Sequence, residues 1–125
     1  MNVRCRNPGV QDIRAVRPAE ADSLIAANRG NPDFIMLDIR LPEEFEYARI
    51  AGAVSFDLMT GTFPKKLDKL DRTKIYLLYC NEDTRSPEAL ELMKDRGFTA
   101  AYRIEGGLTA WALAGYPVER TKTKP

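Results

Sequence analysis

A chain of 125 residues, 44% apolar and 30% charged, holds one compact domain with a core and a soluble surface, and leaves little room for a second. Its 19 basic and 18 acidic side chains leave a net charge of +1, with the signs interspersed, which argues against a nucleic-acid surface. No apolar run approaches the ~20 residues that cross a bilayer, and the absence of histidine excludes His-based triads, Cys–His hydrolases and His metal ligands.

Residues 1–11 and 119–125 read as tails around a domain spanning 12–118. The first ten residues carry Arg4 and Arg6 with no apolar segment behind them. They do not read as a secretory signal, so the expected location is the cytoplasm. Ile13 to Val16 is a short strand candidate, and Pro18 opens a helix that runs through Leu24 and Ile25 to a stop near Gly30. Phe34-Ile35-Met36-Leu37 is a continuous apolar run, as in a strand buried on both faces. It ends in Asp38-Ile39-Arg40, and Pro42-Glu43-Glu44-Phe45 reads as a first helical turn, with proline and acids where a helix start favours them.

Ala53 to Phe56 is another short strand, and Phe63 to Leu70 a short helix. Ile75 to Tyr79 is the strongest strand in the chain, and Cys80 follows it directly. Ser86-Pro87-Glu88 starts the clearest helix, with Ser86 as N-cap and an apolar face of Ala89, Leu90, Leu92 and Met93. Gly97 ends it. Ala100 to Ile104 is a last strand, and Gly106-Gly107 turns into a final helix with Leu108, Trp111 and Leu113, stopped by Gly115 and Pro117. Alternating buried strands and helices predict an α/β fold around a parallel sheet. Ligands of such sheets bind at the carboxyl ends of strands, where Asp38 to Arg40 and Cys80 to Ser86 stand.

Cys80-Asn81-Glu82-Asp83-Thr84-Arg85-Ser86 places a cysteine between a strand and a helix start. Such a loop curls so that peptide N–H groups face the sulfur, and the helix N-terminus adds partial positive charge. Both stabilise a thiolate, and equally a persulfide anion, without a histidine. Position alone leaves a second reading open, a buried inert thiol at a strand end. The polar loop and the following Arg85-Ser86 favour the first. The other cysteine, Cys5, sits in the N-terminal tail, and two cysteines make neither a disulfide scaffold nor a zinc pattern. No phosphate-binding glycine loop with lysine is present, so no cofactor is implied.

The ordered set Phe34-Ile35-Met36-Leu37-Asp38-Ile39-Arg40, Pro42-Glu43-Glu44-Phe45, Ile50-Ala51-Gly52-Ala53-Val54, Tyr79-Cys80 with Arg85-Ser86, Gly97-Phe98, and Glu105-Gly106-Gly107-Leu108 with Trp111 and Gly115-Tyr116-Pro117-Val118 resembles the rhodanese-like domain family. The resemblance covers the chain from Ile13 to Val118. It implies a single domain with a five-stranded parallel sheet flanked by helices. It also implies a cysteine, Cys80, that accepts a sulfane sulfur as a persulfide and passes it to a thiol or cyanide. The family's active loop maps onto Asn81, Glu82, Asp83, Thr84, Arg85 and Ser86, with Arg85 matching the arginine that holds an anionic donor. Asp38 and Arg40 match a pair at the end of the second strand, read either as ties between loops or as a plain structural ion pair. Trp111 is read as core packing. The partners implied are a small sulfur donor and a thiol acceptor, or a protein persulfide, with no nucleic acid, no membrane, no metal, and a monomer as the default state.

Three departures matter. The family's loop commonly has glycine where this chain has Asp83, and aspartate tolerates left-handed backbone better than most residues. Glu82 and Asp83 stand against one Arg85, a balance that disfavours a dianion such as thiosulfate. Arg49 occupies a stretch where the family often has histidine, and is read as a solvated cation. Two other functions compete. Phosphatases of similar fold place their arginine six positions after the cysteine, whereas Arg85 is five after Cys80. A binding module without turnover is compatible with the acidic loop.

Overall fold

The computed structural model describes residues 11–58, 60 and 63–121; residues 1–10 and 122–125 of the expected tails at 1–11 and 119–125, with Cys5 among them, lie outside the described residues. The elements in chain order are β1 (Asp12–Val16), α1 (Pro18–Ala27), β2 (Phe34–Asp38), α2 (Pro42–Tyr47), β3 (Ala48–Arg49), β4 (Val54–Ser55), α3 (Phe63–Leu67), β5 (Ile75–Tyr79), α4 (Ser86–Asp95), β6 (Ala100–Ile104), α5 (Gly107–Leu113) and β7 (Glu119–Arg120). Five strands form one sheet in the order β1-β6-β5-β2-β4, every pair parallel. The protein is thus α/β, a single small domain around a five-stranded parallel sheet.

The apolar runs form strands because both faces of the sheet are covered. Alternate residues of β5 divide between two cores. Tyr76, Leu78 and Cys80 join Leu67 of α3 and Ala89, Leu90 and Met93 of α4. Leu77 and Tyr79 face the other way, with Ala21 of α1 and Leu108 and Trp111 of α5. Trp111 is packed in that core, and its ring N–H donates to the Pro117 carbonyl at 2.8 Å.

From β2 the chain moves outward to β4, then crosses to β5 on the other side of β2 and continues to β6. The connections therefore diverge between β2 and β5, the place in an open parallel sheet where a crevice opens at the carboxyl ends. Arg40 follows one of these strands and Cys80 the other.

Two short strands, absent from the sequence reading, pair antiparallel: Ala48 with Arg120 and Arg49 with Glu119. The chain stays in contact with the domain through Thr121, whose N–H donates to the Tyr47 carbonyl at 2.9 Å. Arg49 is not simply solvated. Its guanidinium pairs with Glu119 at 3.0 Å and donates to the Phe45 and Glu46 carbonyls at the end of α2. At the other end, the Gln11 side chain donates to the Lys94 and Phe98 carbonyls.

Candidate functional site

Cys80 is the residue directly after β5, and is 1% exposed. The two residues that open its loop are held from behind by α5. The Leu108 N–H donates to the Cys80 carbonyl at 2.9 Å, and the Thr109 N–H to the Asn81 carbonyl at 3.0 Å. In a trans peptide the carbonyl and the next N–H point in opposite directions. The N–H groups of Asn81 and Glu82 therefore turn away from α5, toward the face that holds the Cys80 side chain. This orientation depends on a close approach at Gly107. A Cβ there would lie 2.5 Å from the Cys80 carbonyl oxygen and 2.6 Å from that of Asn81. Gly107 also has φ of +65°, which favours glycine on its own account.

The loop closes at Asp83, with φ of +68°, the one described non-glycine residue in the left-handed region. Its carboxylate faces inward to three partners. One oxygen accepts from the Ser86 hydroxyl; the other is paired with Arg103 of β6 and accepts from the Gly106 N–H at 3.3 Å. Ser86 lies 3.6 Å from the Cys80 sulfur, oxygen to sulfur. Ser86 is not the helix cap that its position predicts. Arg85 holds the cap position and Ser86 is the first helical residue, its hydroxyl engaged by Asp83 and Cys80. Arg85 lies near Glu88, one turn along, at 3.6 Å, while Glu82 and Thr84 are exposed.

Asp38 and Arg40 hold the other side of the loop. Arg40 grips Asp38 through two nitrogens, at 3.0 and 2.7 Å, and both are buried. The guanidinium also donates to the Asn81 side-chain oxygen at 3.1 Å and to the Ala48 carbonyl. The Asn81 amide donates in turn to Glu44 at 2.6 Å, and Glu44 accepts from the Leu41 N–H at the start of α2. Burial works against the Arg40 charge, yet the bonds and attraction to Asp38 outweigh it and the guanidinium is raised above its ordinary value. Tyr79 lies against this group; burial and then the negative Asp38 hold its phenol well above the usual range. Its hydroxyl accepts from the Ile50 N–H at 3.0 Å.

The structure thus brings Cys80, Asn81, Asp83, Ser86, Asp38 and Arg40 into one connected cluster, and leaves Glu82 and Thr84 at its outer surface. Arg103 was not singled out from the sequence, Gly107 only as part of a turn, and Glu44 only as part of a helix start. The balance of Glu82 and Asp83 against one arginine is also revised, since Arg103 supplies a second cation directly to Asp83. A charged residue next to last in an otherwise uncharged strand was the one trace of Arg103 in the sequence; its partner was not readable there. Among the described residues no three acidic or cysteine side chains gather as metal ligands, and no helix is long and apolar enough to cross a membrane.

The model of the rhodanese-like domain matches residues 18–114. The chain is 36% identical over 91 residues to an uncharacterized protein of Synechocystis sp., covering 73% of this chain and 50% of that protein. It is 24% identical over 103 residues to a sulfurtransferase of Allochromatium vinosum, covering 82% and 94% of the two chains. A rhodanese-related protein of Thermoplasma volcanium superposes with a TM-score of 0.69 at 27% identity, over 85% of this chain and 97% of that one. The chain therefore spans half the length of the Synechocystis relative and nearly all of the other two.

Proposed function

The chain belongs to the rhodanese-like domain family, and from that premise we propose that it is a sulfurtransferase whose sulfur carrier is Cys80. The observation that carries the proposal is the seat of Cys80. The sulfur stands at the carboxyl end of the central strand, and α5 binds the carbonyls of residues 80 and 81, which turns the following N–H groups away from α5, while Cys80 packs in the core on the other side of the sheet. Peptide dipoles so oriented stabilise negative charge on a thiolate and on the outer sulfur of a persulfide.

The reaction has two halves. The Cys80 thiolate attacks the sulfane sulfur of the donor, a Cys80 S–S bond forms, and the donor's S–S bond breaks. The leaving group is a thiolate from a persulfide donor, or sulfite from thiosulfate. A thiol acceptor as its thiolate, or cyanide, then attacks the outer sulfur and carries it off. Cys80 leaves as the thiolate and the cycle closes without net oxidation. Asp38, Arg40, Glu44 and Asn81 hold the loop's first turn. A persulfide donor, small or borne on a protein, is favoured over thiosulfate because a dianion must pass the exposed Glu82 to reach a sulfur that is itself buried.

Incubation with thiosulfate, and separately with glutathione persulfide, followed by intact-mass analysis tests this. A gain of one sulfur on Cys80, lost on addition of cyanide or a thiol and absent in Cys80→Ala, is the expected result. No sulfur from either donor sinks the enzymatic reading. The deep burial of Cys80 would then favour a rhodanese-like binding module with little turnover. Cysteine phosphatase chemistry is disfavoured by the loop itself: α4 begins at Ser86, directly after Arg85, so the loop lacks the extra residue before its arginine.

A further inference from the structure

The Ser86 hydroxyl has two neighbours and one hydrogen to give. It lies against an Asp83 carboxylate oxygen and 3.6 Å from the Cys80 sulfur. An ionised carboxylate only accepts, so the Ser86 hydrogen belongs to Asp83. What Ser86 then offers Cys80 is a lone pair, and the bond to sulfur is made by a thiol hydrogen. Arg103 and the Gly106 N–H hold the far oxygen of Asp83 and fix the carboxylate in this position. The result is a directed chain, Cys80 S–H to Ser86 O–H to Asp83, anchored by Arg103.

A thiolate at Cys80 is incompatible with that chain as it stands, because the sulfur would face a lone pair. Ser86 must turn its hydrogen to the sulfur and give up a charge-assisted bond to Asp83. We propose that Asp83, acting through Ser86, is a positioning residue that keeps Cys80 in its thiol form, so that sulfur becomes nucleophilic only when the Ser86 hydrogen swings from Asp83 to Cys80. In that step the S–H bond alone breaks, its proton leaves to water, and no other covalent bond changes. The catalytic consequence rests on the sulfurtransferase reading; the control of ionisation does not.

The loop and the elements around it carry other charges: Glu82 and Arg85 in the loop, Glu88 on α4, Lys66 on α3, Arg103 on β6, Asp38 at the end of β2 and Arg40 just after it. Apart from Arg103, which acts on Asp83 itself, these act through space and are indifferent to the Ser86 hydroxyl, whereas the Asp83 effect requires it. That difference makes the proposal testable without any turnover.

The readout is the rate of Cys80 alkylation by iodoacetamide across pH 6 to 10 on the full chain, resolved from Cys5 by peptide mass. Asp83→Asn removes the charge that claims the Ser86 hydrogen. It is expected to speed alkylation at pH 7 about tenfold, the worth of one hydrogen bond gained by the thiolate, and to move the profile to lower pH. Asp83→Gly, which suits the left-handed backbone, is expected to do the same and guards against a folding artefact of the first variant. In a Ser86→Ala background the Asp83→Asn effect is expected to shrink below about twofold. An unchanged profile in both Asp83 variants overturns the proposal, and so does an equal effect with and without Ser86, which marks simple charge repulsion. Failure of sulfur transfer with the alkylation pattern intact would remove the enzymatic reading and leave this one standing.

Discussion

Asp38, the last residue of β2, and Arg40, two residues on, have side chains 0% and 5% exposed; Asp83 and Arg103 come from different elements, twenty residues apart, and are 16% and 21% exposed. Both pairs grip the Cys80 loop, one at Asn81 and the other at its closing turn. The first pair is sunk in the protein, and its guanidinium also serves Asn81, Ala48 and Glu44. Its work is structural, since loss of either partner leaves a buried charge without its counter-ion. The second pair keeps contact with water, touches the hydroxyl next to the sulfur, and can be altered without emptying the core. On the proposed reading, one fold carries a clamp that sets stability beside a clamp that sets reactivity.

The largest expected effect breaks the first clamp. Arg40→Leu leaves Asp38 charged and buried, and is expected to lower the unfolding free energy by about 3–5 kcal/mol in urea denaturation. Changing both residues to apolar ones of similar volume is expected to recover most of that loss. If the double change is no better than the single, the cost lies in the lost Asn81 and Ala48 contacts rather than in the stranded charge.

Next in size is the floor shared by the second clamp. Gly107→Ala puts a methyl group within 2.5 Å of the Cys80 carbonyl oxygen at a positive φ. The expected cost is about 1–3 kcal/mol, together with loss of sulfur loading, because the loop must retreat from α5. A variant that is destabilised yet loads sulfur normally would show that this seating is not needed for chemistry.

How much of this was legible in the sequence follows the same division. The apolar runs at Phe34–Leu37 and Ile75–Tyr79 announced buried parallel strands, and Cys80 was placed at the carboxyl end of the central one. Asp38 and Arg40 were legible because they close an apolar run at a strand's carboxyl end and match the family's pair there. Arg103 was not, because its partner is set by sheet order, with β6 beside β5, and no pattern within the strand encodes that neighbour. Gly106-Gly107 read only as a turn, since a close approach to a distant carbonyl leaves no local trace. Ser86 read as a cap by position, but its hydroxyl is claimed by Asp83. The β3–β7 pair, two residues on each side, is too short for any period to show.

A pH titration sharpens the comparison further, because Tyr79 belongs to the first clamp. Its folded value is raised by burial and by Asp38, so the folded protein keeps the phenol proton after an unfolded chain has released it near its ordinary 10.0. The stabilisation is complete below pH 10 and is lost above it, at about 1.4 kcal/mol per pH unit for one proton. Tyr76, also raised by burial, adds in the same direction. Tyr79→Phe, which loses the acceptor for the Ile50 N–H, is expected to be less stable than wild type at pH 8 and to close the gap by pH 11. A constant gap across that range would remove Tyr79 from the alkaline response.

The smallest effect on stability should come with the clearest effect on substrate choice. Arg103→Gln leaves Asp83 partly exposed, so the cost is expected to stay within about 1 kcal/mol. The uncompensated carboxylate then faces the entering donor. Repulsion of about 1–2 kcal/mol is expected to slow loading from thiosulfate roughly tenfold. Loading from glutathione persulfide should fall less, and added salt should narrow the difference. Glu82→Gln, at an exposed position, should shift thiosulfate loading by less and in the opposite direction. An equal loss with both donors would mean that Arg103 acts by holding the loop in shape rather than by cancelling the Asp83 charge, and the contrast between the two clamps would then be one of degree.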